Sequence, residues 1–195
     1  MQFIALKQFG AERTGTNVLT VLCTRAFGFK PWTNHLGSKH KVRSAKFPQN
    51  TGFLVSIRDP YAWILSYHRW LVRWCNRQSE VVIADTRKHC ISWNKRYSDW
   101  MQIEPKVVVR HEDILVDTSA VIGQIAERFE LRIQGQVQQI DTVVMPHEVV
   151  TKKQFNREYY LKRQYLADMS EEMRKTVANT IDWDLIGEYY SKERM

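Results

Sequence analysis

The chain has 195 residues, and its 29 Lys plus Arg against 21 Asp plus Glu give a net charge of +8. That length is too great for a disulfide-stapled miniprotein and short for two full domains, so residues 1–195 read as a single domain. A hydrophobic content of 44% excludes wholesale disorder. The positive balance either points to an anionic partner (phosphate, sulfate, nucleic acid or acidic glycan) or serves plain solubility.

Along the chain, Gln2–Gln8 is a short half-apolar run that reads as a first strand, and Met1–Phe9 fits a strand better than a signal peptide. Thr16–Phe27 is predicted as a helix, with Val18, Leu22 and Ala26 beside Leu19, Cys23 and Phe27 on one side and Gly28 as its stop. Residues 30–50 read as loop, and Gly52–Ile57 as a buried strand. Asp59-Pro60 opens a helix predicted to reach Asn76, since Asp caps well and Pro loses no hydrogen bond at the first position. Its Trp63, Tyr67, Trp70 and Trp74 form one stripe, read as core packing, and Arg69, Arg73 and Arg77 a second, read as solvated. Helix is expected around 85–100, where basic and aromatic residues mix. Lys106–Arg110 is a further buried strand, Thr118–Phe129 a helix, and Ser170 the cap of another helix whose first turn holds Glu171 and Glu172. Strands alternating with helices predict an α/β three-layer sandwich around a central, mostly parallel sheet.

Cys23, Cys75 and Cys90 are scattered without a Cys-x-x-Cys pair, which argues against a disulfide framework or thiolate zinc site and for a reduced, cytoplasmic protein. No apolar run approaches the roughly 20 residues of a membrane span, so no membrane partner is expected.

The segment richest in chemistry is Gly10-Ala11-Glu12-Arg13-Thr14-Gly15-Thr16-Asn17, between a predicted strand and a predicted helix. Its two glycines let the backbone wrap closely, and the helix start turns unpaired N–H groups toward whatever sits there, which makes a phosphate cradle. The spacing matches G-x-x-x-x-G of a nucleotide-binding P-loop, but Thr16 stands at the Lys position and Asn17 at the magnesium-holding Ser/Thr position. The loop is therefore expected to hold phosphate without metal-assisted γ-phosphoryl transfer. A second segment, Val55-Ser56-Ile57-Arg58-Asp59-Pro60, places a cation at a strand tip, the edge at which α/β sheets bind ligands. Ser66 follows two helical turns later.

Together these segments resemble the sulfotransferase family that uses 3′-phosphoadenosine 5′-phosphosulfate (PAPS). The resemblance is carried by Arg13-Thr14-Gly15-Thr16 after a strand, by Arg58-Asp59-Pro60 with Ser66, and by Val109-Arg110-His111-Glu112-Asp113-Ile114, similar to that family's Tyr-Glu-Asp-Leu. It implies the P-loop-like sulfotransferase fold and a PAPS donor. Arg13 and the backbone of Thr14, Gly15, Thr16 and Asn17 would bind the 5′-phosphosulfate, and Arg58 and Ser66 the 3′-phosphate. Lys152, Lys153 and Arg157 are candidates for the late basic segment that closes over the 3′-phosphate, although the family's Arg-Lys-Gly pattern is absent; a solvated basic helix is the alternative reading of 151–166. His111 departs from the family's Tyr.

Sulfuryl transfer needs charge neutralisation at the leaving oxygen, assigned to Arg13, and a base for the acceptor hydroxyl. Between Glu12 and Asp59 there is no Asp or Glu, so the candidates are His40, beside Lys39 and Lys41, and His35. The acceptor expected is a small molecule or saccharide, with no metal and no nucleic acid partner. The competing readings are a P-loop, kinase-like nucleotide-binding protein and a basic nucleic-acid-binding module.

Overall fold

A computed structural model of the chain describes residues 5–41, 46–139, 142–144, 150–154 and 156–190. The first strand, β1 (Ala5–Gly10), is followed by α1 (Thr16–Phe27), β2 (Thr51–Ile57), α2 (Pro60–Trp74), α3 (Ser79–Ala84), α4 (Thr86–Trp100) and β3 (Lys106–Arg110). Then come α5 (His111–Val116), α6 (Thr118–Arg128), β4 (Thr142–Val144), β5 (Val150–Gln154), α7 (Arg157–Leu161) and α8 (Glu171–Thr180). The strands β1, β2 and β3 pair in that order, all parallel, with Ala5 opposite Thr51 and Phe53 opposite Lys106. Parallel neighbours bring their carboxyl ends to one edge, so Gly10, at the tip of β1, lies beside Ser56.

Both faces of this sheet are covered, as the near-continuous apolar runs of its strands require. On one face Phe9, Phe53, Val55 and Ile57 pack against α2 and α4, with α8 behind them. On the other, Leu6, Leu54, Val107 and Val109 pack against α1, α5 and α6. The α/β expectation therefore holds in its coarse form, as a small open parallel sheet between helices. The β4–β5 pair is separate and antiparallel.

Local sequence accounts for most boundaries. Gly28, at φ 74, closes α1 by donating its N–H to the Thr24 carbonyl at 3.0 Å. Asp59 caps α2 by accepting from Tyr61 N–H at 2.9 Å and Ala62 N–H at 3.4 Å. Ser170 caps α8 by accepting from Met173 N–H at 3.1 Å.

Some expectations are corrected. The first strand runs to Gly10, and Met1–Ile4 lie outside the described residues. The Trp63–Trp74 stripe is core only at its beginning: Trp63 is fully buried, Tyr67 and Trp70 are half-buried, and Trp74 is 63% exposed, because the helix runs past the elements that cover it. The arginines read as solvated are exposed, as expected, with Arg69 pairing with Asp168 at 2.7 Å and Arg77 with Asp85 at 3.6 Å. In the mixed stretch 85–100, Trp93, Tyr97 and Trp100 are all core, Arg87, Lys88 and Lys95 are exposed, and Arg96 is half-buried. The basic tail begins as β5 and turns helical only at Arg157. Cys23, Cys75 and Cys90 are all free thiols. Among the described residues no helix is long and apolar enough to cross a membrane.

Leu54 sits at the centre of the middle strand with no exposure. Leu54→Ala is expected to destabilise the protein by about 3 kcal/mol in urea denaturation, from lost burial plus the cavity left behind. Val116→Ala, at a position 62% exposed, is expected to stay within about 0.5 kcal/mol of the parent.

Candidate functional site

The tips of β1 and β2 are tied together from beneath. Gln8 donates from Nε2 to the Thr16 carbonyl at 2.8 Å and to Ser56 Oγ at 3.3 Å, while its Oε1 accepts from Thr20 Oγ1 at 2.6 Å. Tyr97, reaching up from α4, donates its hydroxyl to the Ser56 carbonyl at 2.6 Å and accepts from Ala11 N–H at 3.4 Å. Trp63 Nε1 donates to the Glu12 carbonyl at 2.9 Å. Two strands, the loop between Gly10 and Gly15, and two helices thus form one rigid base, the arrangement a functional loop needs.

On that base the loop is tightly wound. A side chain at Gly10 would place Cβ 2.9 Å from the Ser56 carbonyl oxygen, so the loop leaves the strand too close to β2 for any other residue. Arg13 and Gly15 both take left-handed backbone, at φ 71 and φ 85. For Arg13 that conformation costs of order 1 kcal/mol and is the kind of strain functional loops carry. Gly15 occupies the cap position of α1 without any side-chain cap, so the helix start is left for something else to satisfy.

One cleft opens over this loop, with a cavity volume of about 140 Å³. Arg13, Gly15, Thr16 and Asn17 come to it from the first segment, Arg58 and Ser66 from the second, and His111 from the third. The sequence segments read separately therefore converge on one place. The far wall is apolar: Val18, Leu115, Val143, Val144 and the ring of Tyr160. That cavity volume is below the roughly 300–1,000 Å³ of a typical small-molecule pocket.

Electrostatically the cleft is cationic and unbalanced. Arg58 is only 4% exposed. Its Nη1 donates to the Arg13 carbonyl at 3.0 Å, and its plane sits 4.4 Å from the centre of the Tyr160 ring. Its Nε and Nη2 are buried with no hydrogen-bond partner among the described residues. Arg13 lies open at the mouth, donating from Nε to Ser66 Oγ at 3.4 Å. Crowding by protein atoms, then the Arg58 charge, pushes the Arg13 pKa below its ordinary value. Nearby Glu112 accepts Asp59 N–H on Oε1 at 3.1 Å and the Tyr190 hydroxyl on Oε2 at 2.5 Å. Burial holds its carboxyl above the ordinary range. Among the described residues no group of three or more His, Cys, Asp or Glu could hold a metal ion.

The two candidate bases separate. Residues 32–41 run along the open edge of β1. Trp32 bridges that strand, donating to the Leu6 carbonyl at 2.7 Å and accepting Gln8 N–H at 3.0 Å. Lys7, fully buried, donates Nζ to the carbonyls of Thr33, His35 and Gly37 at 3.1, 2.8 and 2.6 Å. Burial, then Lys39, lowers the Lys7 pKa to about 8. The segment reaches the strand tip at Lys39, whose carbonyl accepts Gly10 N–H at 3.0 Å. His40 Nδ1 then lies 2.7 Å from the Gly10 carbonyl. A carbonyl only accepts, so Nδ1 carries the proton and Nε2 keeps its lone pair, the form a base requires. Arg96 secures this residue from α4, donating to the His40 carbonyl at 3.2 Å and pairing with Glu12 at 2.6 Å. His35 is exposed, and its ring packs edge-on to Trp32 at 4.4 Å, well back along the strand from the tip.

The remaining expected residues fare unequally. Thr14 does not line the cleft: its N–H and its hydroxyl both donate to the Ala11 carbonyl, at 3.3 and 2.7 Å, so it closes the loop instead. Asn17 does line it, and accepts from Lys39 Nζ at 2.8 Å. Arg157 donates to the Val116 carbonyl at 2.9 Å and is absent from the lining. The Lys152 and Lys153 side chains lie outside the described residues. Sequence reading missed Tyr160, from the same basic segment, and the short strand β4. It also missed Arg96 and Lys39 as holders of His40 and Asn17. A scan against protein-family models finds no match, and a search of curated proteins finds none either.

The His40 ring is expected to titrate below the ordinary histidine value, because burial outweighs the Gly10 carbonyl and Glu12, which act the other way. Nitrogen-detected NMR should show the Nδ1–H tautomer across the neutral range, and Glu12→Gln should lower the pKa further. A ring found in the Nε2–H form would contradict the geometry.

Proposed function

We propose that this protein transfers a sulfuryl group from a PAPS-type donor to a hydroxyl of a small-molecule or saccharide acceptor. The observation that supports this most is the meeting, at one sheet edge, of the Gly10–Asn17 loop with a buried guanidinium, Arg58, whose Nε and Nη2 have no partner. A donor of this class carries two anionic groups on one nucleoside, and two adjacent strand tips each offer an anion site. The order of the three segments along the chain also resembles that of the sulfotransferase family.

In this reading the N-terminus of α1 and Arg13 hold the phosphosulfate end, and Arg58 with Ser66 holds the 3′-phosphate. The acceptor oxygen forms its bond to sulfur as the sulfur–oxygen bond to the 5′-phosphate breaks, leaving adenosine 3′,5′-bisphosphate. Arg13 and the helix N-terminus oppose the negative charge growing on the departing phosphate. His40 takes the acceptor proton on Nε2, and its lowered pKa keeps that nitrogen unprotonated near neutrality. The cleft's combination of cationic floor and apolar wall also suits other nucleotides. Thr16, at the position of a P-loop lysine, favours sulfuryl over metal-assisted phosphoryl transfer.

Adenosine 3′,5′-bisphosphate is expected to raise the melting temperature more than ATP with magnesium does. In calorimetry Arg58→Ala should weaken bisphosphate binding by about 30-fold or more, the loss typical of truncating a buried charged contact. His40→Ala should bind it like the parent and lose turnover. Equal binding by Arg58→Ala, or a preference for magnesium ATP, would overturn the reading.

A further inference from the structure

His111 opens α5 directly after the last residue of β3. It is 8% exposed and lines the cleft beside Arg13 and Arg58, and its Nδ1 is buried without a hydrogen-bond partner. The ring lies against the start of α1, since a Cβ at Gly15 would fall 2.6 Å from Nδ1. On its other side it meets Tyr160 edge-on at 6.1 Å, the same ring that carries the Arg58 guanidinium.

The charged and titratable groups around it are Arg13 from the loop, Arg58 from the end of β2, Tyr160 from α7, and Arg110, Glu112 and Asp113 on its own segment. Glu112 is engaged by Asp59 N–H and the Tyr190 hydroxyl. Arg110 is held by Asp113 at 3.7 Å and lies 4.8 Å from the Tyr190 ring centre. No carboxylate among the described residues pairs with His111, and two guanidinium groups crowd it. Burial, then Arg58 and Arg13, keeps the ring neutral, well below its ordinary pKa.

We propose that His111 is a third ligand of the phosphate held by Arg58, and that it takes up a proton from solvent as the doubly charged phosphate binds. This rests on the donor reading above. A dianion brought against Arg58, while Arg13 faces the phosphosulfate end, outweighs that single guanidinium and reverses the sign of the local field. The ring that burial and the arginines kept neutral becomes a cationic donor. The site then completes its charge only around a doubly charged group, so it favours a phosphomonoester over a singly charged sulfate ester. Affinity rises as pH falls toward the histidine range, until the phosphate itself protonates at about pH 6.

Calorimetry of adenosine 3′,5′-bisphosphate in two buffers of different ionisation enthalpy, at about pH 7, reads the protons taken up on binding. The parent protein is expected to take up about half a proton or more beyond His111→Gln. His111→Gln should also bind about 3- to 10-fold more weakly, from loss of a charge-assisted hydrogen bond. In the unsubstituted protein, nitrogen-detected NMR of His111 should show a neutral ring without ligand and an imidazolium at saturation, a measurement independent of how the variant folds. Binding with equal proton uptake in the two proteins, or a ring that stays neutral at saturation, overturns this inference and leaves the donor reading standing. Absence of bisphosphate binding to the parent overturns both.

Discussion

The arrangement at the sheet edge depends on one buried cation, Arg58. A guanidinium at 4% exposure, with two of its three nitrogens unpartnered, is an expensive thing to fold around, since an uncompensated buried charge costs several kcal/mol. The fold offsets part of that cost with the Arg13 carbonyl and the Tyr160 ring, a dipole and a quadrupole. It supplies no carboxylate at bonding distance among the described residues. A carboxylate there would neutralise the group. Arg58 is kept buried and partly unsatisfied among the described residues, and the rest of the fold carries that cost.

The scaffold beneath explains how so strained a loop can persist. Gln8, Tyr97 and Trp63 each reach from a buried element to the loop backbone or to the tip of β2, and all three are bonded at two or more points or packed in the core. Left-handed Arg13 is over-determined by these contacts. Lys7 plays the same part for residues 33–37, its ammonium gathering three carbonyls that would otherwise need water. That gathering lays the chain along β1, so that His40 arrives at the strand tip and His35 stays behind it.

Sequence reading recovered what local physics decides. Thr16–Phe27 and Lys106–Arg110 match the observed elements because Gly28 stops the first and a run of three valines marks the second. The cleft residues Arg13, Gly15, Thr16, Asn17, Arg58 and Ser66 were legible because each sits at a fixed offset from a strand tip. Helix α5 was missed because it starts on the residue after β3 with no turn between them, so no breaker announces it. Tyr160 was missed because it joins the cleft through tertiary packing of a segment whose own pattern says only basic and aromatic. The choice between His40 and His35 was open in sequence, since both are loop histidines; the edge of β1 carries His40 to Gly10, and neither residue lines the cleft. The 63–74 stripe failed differently: its period is helical throughout, but periodicity does not tell where the covering elements end, and Trp74 lies beyond them.

The excess positive charge also gains a location. Elsewhere the basic residues that touch the core are largely neutralised: Arg96 by Glu12, Arg163 by Asp59 at 3.2 Å, Arg69 by Asp168. The Arg69–Asp168 pair is exposed and adds little stability, the other two are half-buried, and all three cancel long-range potential. The cleft is treated in the opposite way. Arg13 and Arg58 are held close enough that one lowers the pKa of the other, with His111 crowded beside them. Like charges converge there inside a low-dielectric wall, where field lines are focused rather than screened. A net charge of +8 spread evenly would be only a solubility device. Two of its cations, Arg13 and Arg58, meet at the adjoining tips of β1 and β2 on groups the fold leaves partly unsatisfied among the described residues, and the proposed donor reading rests on that meeting.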